Sequence, residues 1–274
     1  LNLFVIPYYS KDGGKFPQEI FHGRKISDIM GGKDNTKKES DIMKRIGIIG
    51  AMEEEVSKLK RIMQDVKIEE KASMEFNVGT LNGKQVVVVR SGIGKVNAGI
   101  CTQILVDDFQ VEGIINTGIA GSLKNEINIG DIVISTDALQ HDVDAREFGY
   151  EPGQIPRMDV LAFKADEKMI SQAEKSSHEV NPEVGVFKGR VVSGDQFIAD
   201  KKVKESIIEK FQGYCTEMEG AAIAQAAYLN HIPFVVIRSI SDKADDSASV
   251  DYPAFEKKAI ENGVRLVSHM VSML

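Results

Sequence analysis

Six short runs, most of them rich in valine and isoleucine, constrain what this chain can fold into more than any other feature of its sequence. Most lack polar alternation, which is the pattern of strands that are buried on both faces. They predict strands over residues 45–50, 85–91, 113–117, 131–135, 185–192 and 233–240. A sheet that is covered on both sides needs helices to cover it, so these runs favour an α/β domain.

Segments with a helical period alternate with these runs. The predicted helices span residues 53–63, 95–107, 166–177, 201–211, 219–230 and 252–271. The last segment places Phe255, Ala259, Val264, Leu266, Val267 and Met270 largely on one stripe. Because no proline-rich linker or internal repeat divides residues 43–274, this alternation predicts one three-layer α/β domain over that stretch.

The first 42 residues differ from the rest because they show no steady hydrophobic period. Residues 1–7 are apolar but lack the basic start and the longer apolar core of a signal peptide. Met43 is followed almost at once by the first predicted strand, as at the start of many cytosolic enzymes. We therefore expect Met43 to be the natural start and residues 1–42 to be an appended or upstream-derived leader.

Charge and composition disfavour several classes of function. The chain has 34 Lys and Arg against 41 Asp and Glu, a net charge of −7, so it lacks the broad basic face that nucleic acid requires. Its longest aliphatic runs, 86–89 and 234–237, are far shorter than the ~20 residues that span a bilayer. Cys101 and Cys215 lie far apart and outside any CxxC pattern, which disfavours a disulfide framework or a structural zinc site. We expect a cytoplasmic protein with no metal or other cofactor and no membrane contact.

Acidic residues at strand ends and helix starts are the first candidates for chemistry. Residues 53–55 are three glutamates after the first strand, Glu219 opens a predicted helix, and Asp242 follows the last strand. Ligands of open α/β sheets bind at the carboxyl ends of strands. Since the five histidines are scattered, these acids favour acid–base chemistry on an uncharged substrate over metal binding. Each glutamate of 53–55 is also typical of a first helical turn, where it complements the helix dipole.

Two other patterns point away from common sites. Residues 91–95 (SGIGK) follow a strand and open a helix, but they match neither GxxxxGK[ST] nor GxGxxG, so a tight turn is favoured over phosphate binding. Residues 141–144 (HDVD) are typical of a surface loop rather than a metal site, because no other histidine lies near them in the sequence. The chain also contains no GxSxG motif, which disfavours a serine hydrolase.

Taken in order, short motifs across residues 43–274 resemble the bacterial 5′-methylthioadenosine/S-adenosylhomocysteine nucleosidases. The matching segments are 46–55 (IGIIGAMEEE), 91–98 (SGIGKVNA), 116–121 (NTGIAG), 130–133 (GDIV), 148–150 (FGY), 192–195 (VSGD), 217–219 (EME) and 240–242 (ISD). Each motif is short, but their joint order and spacing are highly specific. The leader of residues 1–42 has no counterpart in that family.

The resemblance implies a nucleoside phosphorylase-like fold, a three-layer α/β/α sandwich with a mixed central sheet, and a homodimer. It also implies hydrolysis of the N-glycosidic bond of 5′-methylthioadenosine and S-adenosylhomocysteine to adenine and a thioribose. That reaction belongs to methionine salvage and to the recycling of S-adenosylmethionine by-products. The expected partners are thus small adenine nucleosides, with 5′-deoxyadenosine as a further substrate.

The same resemblance assigns roles to individual residues. It makes Asp242 the general acid that protonates purine N7, Glu55 the base that activates water, and Glu219 the ligand of the ribose hydroxyls. The other substrate-binding positions that it implies are Met52, Ile93, Ile119, Gly121, Phe197, Ile198, Met218, Arg238, Ser241 and Tyr252. It implies further that Ala145, Phe148 and Pro156 contribute to the active site of the partner subunit. Ile119 stands where many relatives carry serine, and Tyr252 where they often carry phenylalanine.

The chemistry makes sense independently. Cleavage of an adenosine C1′–N9 bond develops an oxocarbenium-like sugar and a poor leaving group, the problem that glycosidases solve with two carboxyl groups. We expect burial to raise the pKa of Asp242, while Glu55 stays a carboxylate. Three alternatives stay open: a nucleoside phosphorylase of the same fold, an aminodeoxyfutalosine nucleosidase, and a nucleoside-binding protein without turnover. Carboxylates at 53–55 would repel phosphate, which favours water as the nucleophile.

Overall fold

The computed structural model describes residues 43–274, so the expectations for residues 1–42 lie outside the described residues. In the described part of the chain, ten strands form one mixed sheet. The strands are β1 (Arg45–Gly50), β2 (Gln64–Lys71), β3 (Met74–Leu81), β4 (Lys84–Arg90), β5 (Gly113–Ser122), β6 (Ile132–Gln140), β7 (Phe163–Lys164), β8 (Val186–Ser193), β9 (Cys215–Glu217) and β10 (Phe234–Asp242). The helices are α1 (Glu53–Ile62), α2 (Lys95–Asp107), α3 (Glu167–Val180), α4 (Lys201–Phe211), α5 (Gly220–Leu229) and α6 (Ala248–Met273).

The sheet closes on itself at one end and stays open at the other. Its strand order is β10-β6-β8-β9-β5-β1-β4-β3-β2, and β10 also pairs with β5. The strands β5, β10, β6, β8 and β9 therefore form a ring, from which β1, β4, β3 and β2 extend; β7 pairs with β6. The strands β4, β1, β5 and β10 run parallel to one another, whereas β6 is antiparallel to β10 and β9 to β5.

Helices cover both faces of the sheet. The helix α2 packs against α5, while α6 packs against α1 and α3, and both α5 and α6 contact β5 and β10. Every residue of β5 and β10 is buried as a result. This is the three-layer α/β/α arrangement that the alternation of buried strands and helices predicts.

The six predicted strands are present, but the ends and number of strands differ from the prediction. The strand β5 continues to Ser122, because burial in the sheet outweighs the weak strand propensity of the glycines at 118 and 121. The strand β6 continues to Gln140. The prediction lacked the β2–β3 hairpin, whose outer strand is exposed and mostly polar. It also lacked β7 and β9, which are only two and three residues long. Asn82-Gly83 joins β3 to β4 with φ of 49° and 80°, a hairpin signal from which β3 could have been predicted.

The last helix begins earlier than predicted. It starts at Ala248 rather than at Tyr252, and Pro253 lies inside it. Proline lacks a backbone N–H and therefore usually marks a helix boundary. Burial of the downstream apolar face, from Ala259 to Val271, stabilises the helix as a whole.

The carboxyl ends of the parallel strands meet at one edge of the sheet. There β1 ends at Gly50, β4 at Arg90, β5 at Ser122 and β10 at Asp242. The last residues of these strands and the segments that follow them carry most of the predicted site residues. Among residues 43–274, none of the helices has the length and apolar character needed to cross a membrane.

Candidate active site

A cavity of about 470 Å³ opens at this edge of the sheet. All the predicted catalytic and substrate-binding residues except Arg238 line it: Met52, Glu55, Ile93, Ile119, Gly121, Phe197, Ile198, Met218, Glu219, Ser241, Asp242 and Tyr252. The parallel strands β1, β4, β5 and β10 share one edge at their carboxyl ends, which brings together Met52, Glu55, Ile93, Ile119, Gly121, Ser241 and Asp242. The strands β8 and β9, which run in the opposite direction, bring Phe197, Ile198, Met218 and Glu219 to the same cavity, and α6 brings Tyr252.

The cavity wall also contains residues that the sequence analysis did not assign to the site. They are Ala51, Ala120, Gln196, Thr216, Glu217 and Ser249. All but Ser249 are chain neighbours of predicted residues or of one another, and Ser249 lies one helical turn before Tyr252 on α6. Their proximity in the chain to predicted residues was the only sequence signal that they line the cavity, because their side-chain types alone do not indicate a site.

Three backbone N–H groups hold the carboxylate of Glu55. Its Oε2 accepts hydrogen bonds from the backbone of Ala51 at 2.7 Å and Met52 at 2.9 Å, and Oε1 accepts one from Ile119 at 3.1 Å. Burial raises the pKa of Glu55, while the charge of Arg238 and the three N–H bonds act in the opposite direction. All three donors require an acceptor oxygen, so the hydrogen bonding favours the ionised form of Glu55.

The other predicted catalytic residue, Asp242, ends β10 just after a register shift against β5. Its Oδ1 accepts a hydrogen bond from the backbone of Ala244 at 2.7 Å, and its Oδ2 accepts one from the hydroxyl of Ser241 at 2.9 Å. Burial raises the pKa of Asp242, the direction expected from the sequence, and the charges of Asp251 and Asp245 add to the effect. Both acids therefore have a raised pKa, but Asp242 has fewer backbone donors and faces negative charges.

Arg238 lies behind the cavity wall rather than in it, with 1% of its surface exposed. Its Nε donates to Glu217 Oε2 at 3.1 Å, and its Nη2 donates both to the Glu217 carboxylate and to Asn116 Oδ1, the latter at 2.7 Å. The resemblance placed Arg238 among the substrate-binding residues. In this structure its side chain instead forms a buried ion pair that supports the wall.

The carboxylate of Glu217 also holds the start of α5. It accepts hydrogen bonds from the backbone N–H groups of Glu219 at 3.1 Å and Gly220 at 2.8 Å, and from the hydroxyl of Ser193. Burial opposes ionisation, but the charge of Arg238 and these donors hold the pKa of Glu217 below its ordinary value. The ion pair thus connects β10 to the first turn of α5.

Glu219 projects from that first turn into the cavity. Its Oε1 accepts a hydrogen bond from the backbone of Gly94 at 2.8 Å, and its Oε2 lies 3.8 Å from Arg238 Nη2. Burial raises the pKa of Glu219, and the negative charge of Glu217 raises it further. The next backbone N–H, that of Lys95, donates to Asp195 Oδ1 at 2.8 Å. Carboxylates of the protein thus bind two of the N–H groups at the start of α2, which supports the prediction of a turn rather than a phosphate loop.

The outer end of the cavity is apolar and open. Ile93 and Phe197 are 53% and 54% exposed, and the Phe197 ring meets the Tyr252 ring edge-on with centroids 6.0 Å apart. The hydroxyl of Tyr252 donates to Glu256 Oε1 at 3.0 Å. These side chains form a mouth that can contact an apolar substituent.

The three residues predicted for the partner's pocket do not line this cavity. Phe148 ends a short 3-10 helix, Arg146–Phe148, and is 83% exposed. Ala145 is half-buried and Pro156 is exposed. The Phe148 ring is therefore accessible on the surface of the described chain.

The arrangement combines two buried carboxyl groups with a cavity of mixed character. Glu55 and Asp242 differ in their hydrogen-bond donors, as one carboxylate and one acid would require. Glu219 adds a third carboxyl group in a position to bind hydroxyls. Among residues 43–274, no group of three or more His, Cys, Asp or Glu side chains could hold a metal ion.

Comparisons with known sequences agree with this geometry. The model of the phosphorylase superfamily matches residues 45–272. A protein of Bacillus velezensis called 5′-methylthioadenosine/S-adenosylhomocysteine nucleosidase is 43% identical over 231 residues, which cover 84% of this chain and 99% of that protein. A protein of the same name from Bacillus subtilis is 41% identical over 231 residues, again 84% of this chain and 99% of that protein.

Solved structures with the same fold include ligand complexes. The nucleosidase of Neisseria meningitidis in complex with methylthio-immucillin-A is 37% identical, with a TM-score of 0.82 over 84% of this chain and 100% of that chain. The nucleosidase of Colwellia psychrerythraea in complex with adenine is 39% identical, with a TM-score of 0.82 over 85% of this chain and 96% of that chain. Futalosine hydrolase of Helicobacter pylori is 31% identical, with a TM-score of 0.80 over 84% of this chain and 98% of that chain.

Gly118 allows Glu55 and Arg238 to approach β5, and Gly118→Ala tests this close packing. A Cβ at position 118 would lie 2.5 Å from Arg238 Nη1 and 3.0 Å from Glu55 Cδ. We expect Gly118→Ala to lower the free energy of unfolding by about 1–3 kcal/mol, as overpacking of a buried site does. Urea unfolding followed by circular dichroism measures it. Gly99→Ala is the matched control, because its Cβ would meet open space within α2 and alanine favours a helix. An unchanged urea midpoint for Gly118→Ala would contradict the packing argument.

Proposed function

The chain belongs to the 5′-methylthioadenosine/S-adenosylhomocysteine nucleosidases of the phosphorylase superfamily, and from that membership we propose how its residues act. It hydrolyses the N-glycosidic bond of 5′-methylthioadenosine and S-adenosylhomocysteine and releases adenine.

The hydrogen bonds of Glu55 are the observation that favours water over phosphate as the nucleophile. Backbone N–H groups at the junction of a strand and a helix are a common anion site. Here the N–H groups of Ala51 and Met52, between β1 and α1, both donate to Glu55 Oε2. An incoming phosphate would lose these donors and meet a negative charge. Water needs neither the donors nor a cation, so the site favours hydrolysis.

In the proposed reaction, Asp242 delivers a proton to purine N7 as the C1′–N9 bond breaks. Protonated adenine is a far better leaving group than its anion, and the sugar acquires positive charge. Glu55 accepts a proton from the water whose oxygen forms the new bond to C1′. Glu219 binds ribose hydroxyls, and its carboxyl group interacts more strongly as positive charge develops on the ring.

The cavity wall suits the three parts of the substrate. We assign the purine to the end near Asp242, where Ser241, Gly121, Ile119 and Ile198 line the wall. Phe197 contacts the adenine through its backbone, while its ring lies at the mouth. Met52 and Met218 pack on the sugar, and Ile93 and Tyr252 contact the 5′-thioalkyl group at the apolar mouth. Arg238 acts from behind, through Glu217 and Glu219.

We propose further that the active protein is a homodimer whose loops complete the mouth of each cavity. The exposure of Ile93 and Phe197 at the mouth, and of Phe148 on its loop, supports this arrangement. Ala145, Phe148 and Pro156 would then contact the substrate in the partner subunit. The unpaired, buried Cys101 and Cys215 suit a reducing compartment, which supports a cytoplasmic location.

Release of adenine tests the proposed reaction. We expect the purified protein to release adenine from 5′-methylthioadenosine at a rate that does not depend on phosphate, with the free thioribose rather than its 1-phosphate as the second product. Chromatography of both products measures this. A requirement for phosphate would contradict hydrolysis. Because a futalosine hydrolase shares this fold, aminodeoxyfutalosine and 5′-deoxyadenosine belong in the same panel, compared by kcat/KM.

Asp242→Asn tests the general acid. Asparagine keeps the size of the side chain but has no proton to deliver, so we expect kcat to fall by about 10²–10⁴-fold, while binding of adenine nucleosides persists. The wild-type pH profile should show an alkaline limb above the ordinary pKa of aspartate, since burial raises the pKa of Asp242 and the acid must be protonated. Full turnover by Asp242→Asn would remove Asp242 from the mechanism.

Phe148→Ala tests the two-subunit active site. An aromatic residue buried across an interface can contribute about 2 kcal/mol or more to association. We expect Phe148→Ala to weaken the dimer and to raise the KM for methylthioadenosine more than that for adenosine, which lacks the thioalkyl group. Analytical ultracentrifugation and steady-state kinetics measure the two effects. Ile68→Ala, an exposed apolar residue on the outer strand β2, is the control. Equal changes in both KM values with an intact dimer would argue against the cross-subunit contact.

A further inference from the structure

Lys204 is a buried lysine outside the cavity lining, and its ammonium group reaches the segment that follows Asp242. It lies on α4 and is 8% exposed. Its Nζ donates to the backbone oxygen of Lys243 at 2.5 Å and lies 3.5 Å from Asp245 Oδ2. Because lysine is rarely buried without strong partners, these two contacts account for its position.

The carbonyl that Lys204 holds belongs to the same peptide group as the N–H that binds Asp242. That peptide group joins Lys243 to Ala244, and its N–H donates to Asp242 Oδ1 at 2.7 Å. A peptide group is planar, so a fixed oxygen also fixes the direction of the N–H. A bond to the oxygen from a charged donor also polarises the group and strengthens its N–H as a donor.

The backbone at Ala244 needs such support. Its φ is 50°, in the left-handed region, which costs a residue other than glycine about 1–2 kcal/mol. Ala244 is fully buried, so water cannot replace any hydrogen bond that its peptide loses. Rotation of the Lys243–Ala244 peptide would relieve the strain, but it would also turn the N–H away from Asp242. The ammonium group of Lys204 opposes that rotation.

The start of α4 is attached to the same segment by a second contact. The backbone N–H of Lys201 donates to Asp246 Oδ1 at 3.4 Å. Ile198, three residues before Lys201, lines the cavity. The helix therefore connects the wall assigned to the purine with the segment that holds the proposed acid.

We propose that Lys204 is a positioning residue for the general acid, acting through the Lys243–Ala244 peptide to orient the carboxyl group of Asp242. The inference rests on the proposed function, in which Asp242 delivers the proton to the purine. Lys204 touches neither the cavity nor Asp242 itself. Its influence on the reaction passes through one peptide group.

The effect on pH dependence has a definite sign. The N–H of Ala244 stabilises the carboxylate form of Asp242, so its loss would raise the pKa of Asp242. Loss of the nearby ammonium charge acts in the same direction. The other charged groups around Asp242 are Asp245, Asp251 on α6, and Lys243, whose Nζ donates to the backbone oxygens of Ile127 and Asn125. Since these groups remain, removal of Lys204 should shift the alkaline limb of kcat to higher pH.

The main test compares Lys204→Met with Lys204→Arg in the full chain, using methylthioadenosine as the substrate. We expect Lys204→Met to lower kcat at least about tenfold, because a small misplacement of a catalytic group has a large effect on rate. The KM should change much less, and the alkaline limb should move to higher pH. Lys204→Arg keeps a charged donor and should retain most of kcat and the wild-type pH profile. The control is Lys202→Met, an exposed lysine on the same helix, which should behave as wild type.

A double-variant cycle separates positioning from simple support of the fold. If Lys204 acts through Asp242, adding Lys204→Met to Asp242→Asn should slow the reaction no further, whereas independent effects would multiply. If Lys204→Met fails to fold, Lys204→Gln, which has a neutral donor, provides a second test. Its kcat should also fall, and its alkaline limb should also move to higher pH. A full kcat and an unmoved limb in a folded Lys204→Met or Lys204→Gln protein would overturn the inference while leaving the proposed function intact. If the wild type releases no adenine, both are wrong.

Discussion

The buried ion pair between Arg238 and Glu217 is the interaction on which the rest of the site depends. It joins β10 to β9, and through Asn116, which donates to the backbone oxygen of Ile49 at 3.0 Å, it reaches β5 and β1. Removal of one partner from such a pair typically costs about 3–5 kcal/mol, because it leaves an unpaired charge in a medium of low polarity. The guanidinium group also offsets the repulsion among Glu217, Glu219 and Glu55. Three carboxyl groups can lie together at this strand edge because one cation lies behind them.

The surroundings of Glu55 and Asp242, more than their residue types, give these two proposed catalytic residues different roles. Burial raises the pKa of both Glu55 and Asp242. The donors around them differ: Glu55 accepts three backbone N–H bonds and is attracted by Arg238, whereas Asp242 accepts one backbone N–H and one hydroxyl and is repelled by nearby aspartates. These differences favour a proton on Asp242 and a charge on Glu55. One edge of the sheet can thus supply both an acid and a base at the same pH.

Backbone groups, as well as side chains, determine the geometry of the site. The N–H groups of Ala51 and Met52, between β1 and α1, bind the chain's own carboxylate rather than a phosphate. Gly118 leaves room for Glu55 and Arg238 against β5. The peptide before Ala244 presents its N–H to Asp242 in a strained conformation. In each case a peptide group lies where one of the proposed catalytic carboxyl groups needs a donor or space.

The sequence alone determined the layered α/β fold. Buried strands require apolar residues on both faces, and the helices that cover them require a helical period of apolar residues, and both patterns can be read in the sequence. The resemblance carried by its motifs also indicated twelve of the residues that line the cavity, Glu55 and Asp242 among them. It did not reveal β2 and β9, since an exposed strand and a three-residue strand carry little hydrophobic pattern. Nor did it place Arg238 behind the wall, or connect Lys204 to Asp242. Such contacts join residues distant in the chain through fixed backbone geometry, and only the packed tertiary structure decides which of them form.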